Sequence, residues 1–123
     1  MLSRRKAREV AIKYSKEIRK RFEPDAVVFR GSYLNGHPHE GSLIDIEVYF
    51  DDQRECEIKL NAQLREVMRG LFEQTGETDY LYLSPFALDV DEGFPKNVFE
   101  DGLVLYLADQ YKTDDVFVPV IPA

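Results

Sequence analysis

Residues 31 to 50 contain the side chains whose types and spacing could support chemistry. Gly31 and Ser32 form a turn in which a glycine lets a phosphate approach the backbone and a serine can donate a hydrogen bond. Asp45 and Glu47 follow, two residues apart, and carboxylates are the hard oxygen ligands that Mg²⁺ prefers. A turn of this kind beside acidic groups is suited to hold a metal-nucleotide.

Two predicted strands position these side chains. The apolar run at residues 26 to 29 predicts a buried strand before the turn, and residues 43 to 50 predict a second strand after a polar loop. Side chains alternate along a strand, so one face of the second strand carries Leu43, Asp45, Glu47 and Tyr49. The other face carries the apolar side chains that should fill the core, namely Ile44, Ile46, Val48 and Phe50.

The same stretch resembles the minimal nucleotidyltransferase (MNT) domains of the DNA polymerase β-like superfamily. Their signature reads G-S-x-A-(R/K)-G, then a short loop, then S-D-(I/V)-D-(I/L)-x-V. This chain has GSYLNG at residues 31 to 36 and SLIDIEV at residues 42 to 48. The segment NVFEDGLVLY, residues 97 to 106, is similar to the I-x-x-E-G-x-x-L-Y pattern near the end of such proteins. The resemblance covers about residues 5 to 107 and implies an α+β fold, a mixed β-sheet flanked by helices.

The resemblance also implies a set of site residues. In the family, carboxylates hold Mg²⁺, which binds the nucleoside triphosphate, and NMP is transferred to a hydroxyl on a protein, RNA or small molecule. Asp45 would be the second aspartate of the metal-binding pair and Asp79 the third carboxylate, both catalytic; an exposed strand-end acid is the alternative interpretation of Asp79. The implied cofactor is Mg²⁺ with ATP or another triphosphate. The implied nucleotide-binding residues are Gly31, Ser32, Asn35, Gly36 and Ser42.

Two departures from the signature predict weakened or lost catalysis. Leu43 stands where the first metal-binding aspartate belongs, and Asn35 replaces the usual Arg or Lys before Gly36. Glu47 lies on the correct face and could form a displaced acidic pair with Asp45. It lies about 6.6 Å further along the strand, however, away from the turn, which favours a solvated strand residue.

Other functions therefore stay open. An interaction protein could keep the fold after losing its chemistry, and some MNT proteins pair with a helical HEPN-type partner in toxin–antitoxin modules. A homodimer or a nucleotide-binding sensor without turnover are further alternatives. The HEPN-type partner is suggested by the resemblance alone, and the basic first helix and apolar tail would suit such a role without requiring it.

The remaining elements follow from periodicity and turn residues. We predict a helix that Ser3 caps, that runs to about residue 22 and that carries one apolar stripe, and a second helix from residue 51 to about residue 74. A third strand is predicted at residues 78 to 83, ended by Ser84-Pro85, followed by an acidic loop at 86 to 95. A short helix at 96 to 101 and a strand at 103 to 106 complete a domain at residues 1 to 107. Residues 108 to 123 form a tail that is either an extra edge strand or an arm.

Charge is distributed unevenly along the chain. The net charge is −7, but residues 1 to 22 hold nine Lys or Arg against two Glu, while the remainder holds seven basic and twenty-one acidic residues. The acidic body disfavours non-specific nucleic-acid binding. The basic first helix could attract an anionic partner, or it could simply be a solvated face against that body.

Few other residues suggest chemistry. Cys56 is the single cysteine, so the chain cannot form an internal disulfide, which fits a reducing cytoplasm. We interpret Cys56 as a buried or half-buried structural thiol. His37 and His39 flank a proline, and without a third His or second Cys they favour a solvated loop over a transition-metal site. No apolar run reaches membrane-spanning length, so we expect no membrane partner.

Overall fold

The computed structural model describes residues 1–51, 56–90, 94 and 100–112, which form three α-helices, four strands and two 3-10 turns. The first four elements are α1 (Arg4–Arg21), β1 (Ala26–Arg30), the single turn α2 (Ser32–Asn35) and β2 (Ile44–Phe50). They are followed by α3 (Glu57–Thr75), a 3-10 turn (Thr78–Tyr82), β3 (Leu83–Asp89), β4 (Leu103–Leu107) and a second 3-10 turn (Asp109–Tyr111).

The strands form one mixed sheet in the order β3-β2-β1-β4. β1 pairs antiparallel with both β2 and β4, whereas β3 runs parallel to β2. In the β1–β2 register Arg30 lies opposite Asp45, so the end of β1 that leads into the Gly31 turn meets the start of the acidic strand. A mixed sheet flanked by helices confirms the predicted α+β class.

The main core lies between one face of the sheet and the helices α1 and α3. Ile44, Ile46, Val48 and Phe50 are all buried there, which confirms the alternation predicted for β2. The predicted cap of α1 is also confirmed, because the Ser3 side chain accepts a hydrogen bond from the Lys6 backbone N–H.

The opposite face of the sheet is covered only in part by the residues that the structure describes. A smaller cluster of Ala26, Val28, Val104 and Leu107 packs there with Tyr49, Phe94 and Tyr111. This cluster lies toward the start of β1 and the end of β2. The acidic end of β2, beside the Gly31 turn, is therefore the more open part of this face.

The helix predicted from residue 51 begins later than expected. α3 starts at Glu57, and Asp51 lies outside it; residues 52–55 lie outside the described ranges. The physical reason is that the backbone remains in the sheet at this point, since the Val90 N–H donates to the Phe50 carbonyl (3.0 Å). Cys56 precedes the helix and is exposed, so the expected burial of its thiol is wrong.

The third strand is shifted relative to the prediction. Residues 78 to 82 form a 3-10 turn that buries Tyr80, and β3 begins at Leu83. Because Leu83 pairs with Ile44, the first residue of β2, residues before Leu83 run past the end of their partner strand. Pro85 lies inside β3, where an edge strand with one neighbour tolerates its missing N–H.

Residues near the predicted end of the domain are described in part. The predicted helix at 96–101 falls mostly outside the described residues, and its last residues, Glu100 and Asp101, form a turn, with Asp101 at φ 58°. The predicted strand at 103–106 is confirmed as β4. The start of the predicted tail packs on the domain, because the Ala108 N–H donates to the Asp25 carbonyl (2.9 Å). Residues 113–123 lie outside the description, and the boundary at 107 stays a prediction.

In the parts of the chain that the structure describes, no helix combines the length and apolar character needed to cross a membrane.

Candidate functional site

The turn between β1 and α2 has a conformation that strongly favours glycine. Gly31 adopts φ 101°, a region that residues with a side chain rarely enter. A Cβ atom at this position would lie 2.6 Å from Oδ2 of Asp45, closer than any real contact of this type. The backbone of the turn and the carboxylate of β2 are therefore in direct contact.

Hydrogen bonds tie the loop after the turn to Ser32. The Ser32 hydroxyl donates to Oγ of Ser42 (2.7 Å), which also accepts from the His39 N–H (2.9 Å). Ser42 is buried, and its own N–H donates to the His39 carbonyl (2.9 Å). The structure therefore brings Gly31, Ser32, Ser42 and Asp45 together, although they are spread over fifteen residues of sequence.

Asn35 and Gly36 connect the same loop to neighbouring elements. The Asn35 side-chain amide donates to the Asp101 carbonyl, in the turn before β4. The Gly36 carbonyl accepts from the Arg4 guanidinium at the start of α1. Both residues thus hold the loop in place, and their predicted contact with a nucleotide stays a prediction.

Asp45 is the open carboxylate of this region. It is partly buried and makes no hydrogen bond or ion pair with any residue that the structure describes. The pKa of its carboxyl is raised, mainly because the group is partly buried and secondly because the negative charge of Glu47 is nearby. A cation at this position would be stabilised by the ionised carboxylate and would lower that pKa.

Glu47, by contrast, is engaged. Its Oε1 accepts from the Arg30 Nε (2.5 Å) and from the Tyr49 hydroxyl (3.0 Å), while Arg30 also donates to the Glu100 carbonyl (2.6 Å). Burial is the main cause, and the charge of Glu47 the second, that raises the pKa of Tyr49 to about 12. An ion-paired Glu47 is a poorer metal ligand, so the geometry does not favour the displaced acidic pair.

Two other positions of the predicted metal site, residues 43 and 79, have different surroundings from Asp45, and the role of Asp79 as a ligand stays a prediction. Leu43 is 47% exposed just before β2 and presents an apolar side chain where the signature has a ligand. Asp79 lies in the 3-10 turn, with Oδ2 3.7 Å from Nζ of Lys6 on α1. Within the described ranges, no three His, Cys, Asp or Glu side chains form a group that could hold a metal ion by themselves.

The histidine loop behaves as a structural loop. His37 and His39 are both exposed, and the Nδ1 of His39 accepts from the Gly41 N–H (3.0 Å). This bond uses a ring nitrogen to shape the turn, which agrees with the solvated-loop interpretation.

Arg30 is the site residue that sequence reasoning missed. It is the last residue of β1 and lies opposite Asp45 in the register. The signal was present in the sequence, since an arginine ends an otherwise apolar strand directly before the Gly-Ser turn. Its partner could not be read from the sequence, because the pairing of β1 with β2 sets which carboxylate it reaches.

No protein-family model matches this chain. No curated protein matches it either. A solved structure from Sulfolobus solfataricus, with a provisional nucleotidyltransferase designation, is similar at 18% identity and a TM-score of 0.49, covering 85% of this chain and 84% of that chain. At this level of similarity, conclusions about function depend on the residues of this chain.

Proposed function

We propose that this chain is a nucleotidyltransferase-like protein of the MNT type that binds a nucleoside triphosphate with Mg²⁺ at the Gly31 turn. One observation carries the proposal: Gly31 adopts a backbone conformation that residues with a side chain rarely enter, and Oδ2 of Asp45 lies 2.6 Å from where its Cβ atom would stand. The missing side chain of Gly31 makes room for this carboxylate, which has no protein partner among the described residues, so a phosphate that carries Mg²⁺ would meet it beside the turn. Ser32 adds a hydroxyl at the same turn.

The residues present fit a Mg²⁺ ion that arrives with the triphosphate. Mg²⁺ commonly uses one or two carboxylates together with substrate phosphates and waters, so Asp45 can supply the protein ligand. Burial is the main cause of its raised pKa and the charge of Glu47 the second, and a bound cation would offset both effects on the ionised carboxylate. When bound, the ion would offset charge on the phosphates. Glu47 and Asp79 are each held by a basic side chain, so they add no second open ligand.

Nucleotidyl transfer is expected to be slow in this chain. In that reaction an acceptor hydroxyl oxygen bonds to the α-phosphorus, pyrophosphate leaves, and the hydroxyl proton passes to a base. Two metal ions stabilise both oxygens in enzymes of this type, and they require more than one carboxylate. Leu43 removes one of those carboxylates, so we propose binding of Mg-ATP or another triphosphate with weak turnover, in the cytoplasm.

Calorimetric titration of ATP with and without Mg²⁺ tests this proposal. We expect Mg²⁺-dependent binding that Asp45→Asn removes and Asp89→Asn leaves intact, since Asp89 is an exposed carboxylate at the far end of β3. A parallel assay of pyrophosphate release measures turnover. Absence of ATP binding, or equal binding by wild type and Asp45→Asn, would contradict the proposal.

An interaction role is the second candidate, and one observation favours it. The open face of the sheet exposes Leu43 (47%) and Phe86 (45%) beside the acidic residues of β2. Apolar side chains of this size on an open face suit a protein partner, either a HEPN-type helical protein or a second copy of the chain.

This role predicts that association depends on those two side chains. Sedimentation of the chain alone, and with a helical protein encoded by a neighbouring gene, should show a complex that Leu43→Ser with Phe86→Ser weakens. Ile58→Ser is the control, because Ile58 is 82% exposed on α3. A chain that stays monomeric and binds no such protein would argue against the role.

A further inference from the structure

A groove with basic and aromatic walls lies at the end of α1. It has a volume of about 440 Å³, and its walls include Lys16, Arg19, Lys20, Phe22, Glu23 and Tyr106. We call it the basic groove. Tyr106 pairs with Val27 near the start of β1, whereas Gly31 follows the end of that strand. The basic groove is therefore separate from the turn and Asp45.

The planar groups of the basic groove are held in place by packing. The ring of Phe22 packs edge-on against Phe50, with ring centres 6.2 Å apart. The Arg19 guanidinium lies over the Tyr106 ring, 4.3 Å from its centre, and Arg19 is itself exposed. Guanidinium planes and aromatic rings are the surfaces on which unpaired bases stack.

The charge of the groove opposes that of the rest of the molecule. Lys16, Arg19 and Lys20 are exposed, and Glu23 is the one acidic side chain among the described wall residues. Nζ of Lys20 also lies 3.3 Å from Oε1 of Glu17. Because residues 23 to 123 carry fourteen more acidic than basic groups, this local excess of positive charge is a distinctive feature. It would attract an anion that the body of the protein repels.

We propose that the basic groove binds single-stranded nucleic acid. A base stacks on the wall formed by Arg19 and Tyr106, and the adjoining phosphates lie near Lys16 and Lys20. The volume accommodates about one nucleotide, within the usual range for small-ligand sites. Simple anion binding would need the cations alone, whereas the fixed aromatic wall adds a surface for a base. This inference does not depend on the proposed function at the Gly31 turn.

Fluorescence anisotropy with a labelled oligoadenylate of about ten nucleotides, without Mg²⁺ or triphosphate, tests the inference. We expect Lys16→Gln with Arg19→Gln to weaken binding about tenfold or more, given the usual contribution of one stacked base and one phosphate contact. The salt dependence of log affinity should also fall by about 0.7 for each lost phosphate contact.

Two further variants separate recognition from a loss of folding or of net charge. Glu23→Gln removes a repulsive charge from the wall and should tighten binding, a gain that unfolding cannot produce. Arg65→Gln is the charge control, because it removes one positive charge, as each groove substitution does, at an exposed position on α3. It should leave oligonucleotide binding unchanged. DNA and RNA oligonucleotides of equal length distinguish the two sources of the ligand.

Four results would overturn the inference. Three concern direct binding: absence of oligonucleotide binding at low salt, equal binding by wild type and the double variant, and equal binding of an abasic strand with the same number of phosphates. Competition by oligoglutamate as strong as by oligoadenylate would show recognition of charge alone and would also overturn it.

Discussion

At the scale of single residues, Asp45 differs from the other carboxylates near the turn. Glu47 is paired with Arg30 and Asp79 with Lys6, but Asp45 has no such partner among the described residues. A partly buried carboxylate without a partner opposes folding when it is ionised. Its retention beside Gly31 is readily understood if a cation or a hydrogen-bond donor from a ligand completes the site.

Asp45→Asn should therefore stabilise the free protein at neutral pH. The pKa of Asp45 is raised in the folded chain, so folded protein holds this proton to higher pH than unfolded protein. The stability that the protonated carboxyl contributes is lost as pH rises from the pKa in the unfolded chain through the raised pKa in the folded chain. Urea denaturation should show a gain for the variant at neutral pH that disappears near pH 3, below the usual aspartate pKa of about 3.9. A gain of equal size at both pH values would contradict this account.

Leu43→Asp should raise Mg-nucleotide affinity, by about tenfold or 1.4 kcal/mol. The change supplies a second carboxylate on the face that carries Asp45, at a position that is already exposed. Calorimetry with Mg-ATP measures the effect, and Ile58→Asp on α3 controls for added negative charge. Unchanged affinity would mean that the nucleotidyltransferase signature is wrongly placed on this strand.

At the scale of elements, the junction of β1 with α2 forms the site. Only Gly31 separates the last residue of the strand from the first residue of the helical turn. Such an abrupt change of direction explains its positive φ. Because β2 pairs with β1 at this end, the same junction brings Asp45 against the turn.

Gly31→Ala should remove Mg-ATP binding and destabilise the fold. The variant combines a strained backbone with a clash against Asp45. Gly76→Ala is a matched control, because Gly76 also has a positive φ (70°) but no atom lies within 4 Å of where its Cβ would stand. It should lower the free energy of unfolding by about 1 kcal/mol and leave ATP binding intact. Thermal denaturation and calorimetry measure both effects.

The 3-10 turn before β3 gives a second prediction at this scale. Asp79→Asn should reduce Mg-ATP affinity less than Asp45→Asn does, since Asp79 lies against Lys6. Loss of this partly exposed ion pair should change the free energy of unfolding by at most about 1 kcal/mol. An equal or larger loss of ATP binding in Asp79→Asn would establish it as the third carboxylate.

At the scale of the whole molecule, a buried hydrogen bond joins the two long helices that cover the sheet. The Tyr14 hydroxyl on α1 donates to the Leu64 carbonyl on α3 (2.7 Å), and both residues are fully buried. Burial raises the pKa of Tyr14 well above its usual range, so this bond persists throughout the physiological pH range. The bond helps to fix α3 relative to α1 on the helical side of the sheet.

Tyr14→Phe should lower the free energy of unfolding by about 1 kcal/mol, the usual net value of one hydrogen bond. Urea denaturation measures this change. Tyr82→Phe is the control, because the Tyr82 hydroxyl makes no hydrogen bond with the described residues. ATP binding should be unaffected in both variants. A change at Tyr14 no larger than at Tyr82 would contradict a stabilising role for the bond.

Predictions from periodicity succeeded where a single face is buried. The alternation of residues 44 to 50 and the apolar stripe of α1 each leave one arrangement that buries apolar side chains. Residues 78 to 83 were harder to interpret, because both sets of alternate positions include large apolar or aromatic side chains. Their conformation depends on where β2 begins, which lies more than thirty residues earlier in the chain.

The sequence by itself determined the Gly-Ser turn, the alternating strand and the apolar Leu43 within it, because these follow from local geometry and residue type. The partners of the carboxylates were decided only by the tertiary structure. Arg30 reaches Glu47 through the pairing of β1 with β2, and Lys6 reaches Asp79 across residues distant in sequence. Which carboxylate remains open depends on these long-range contacts, and they leave Asp45 beside Gly31.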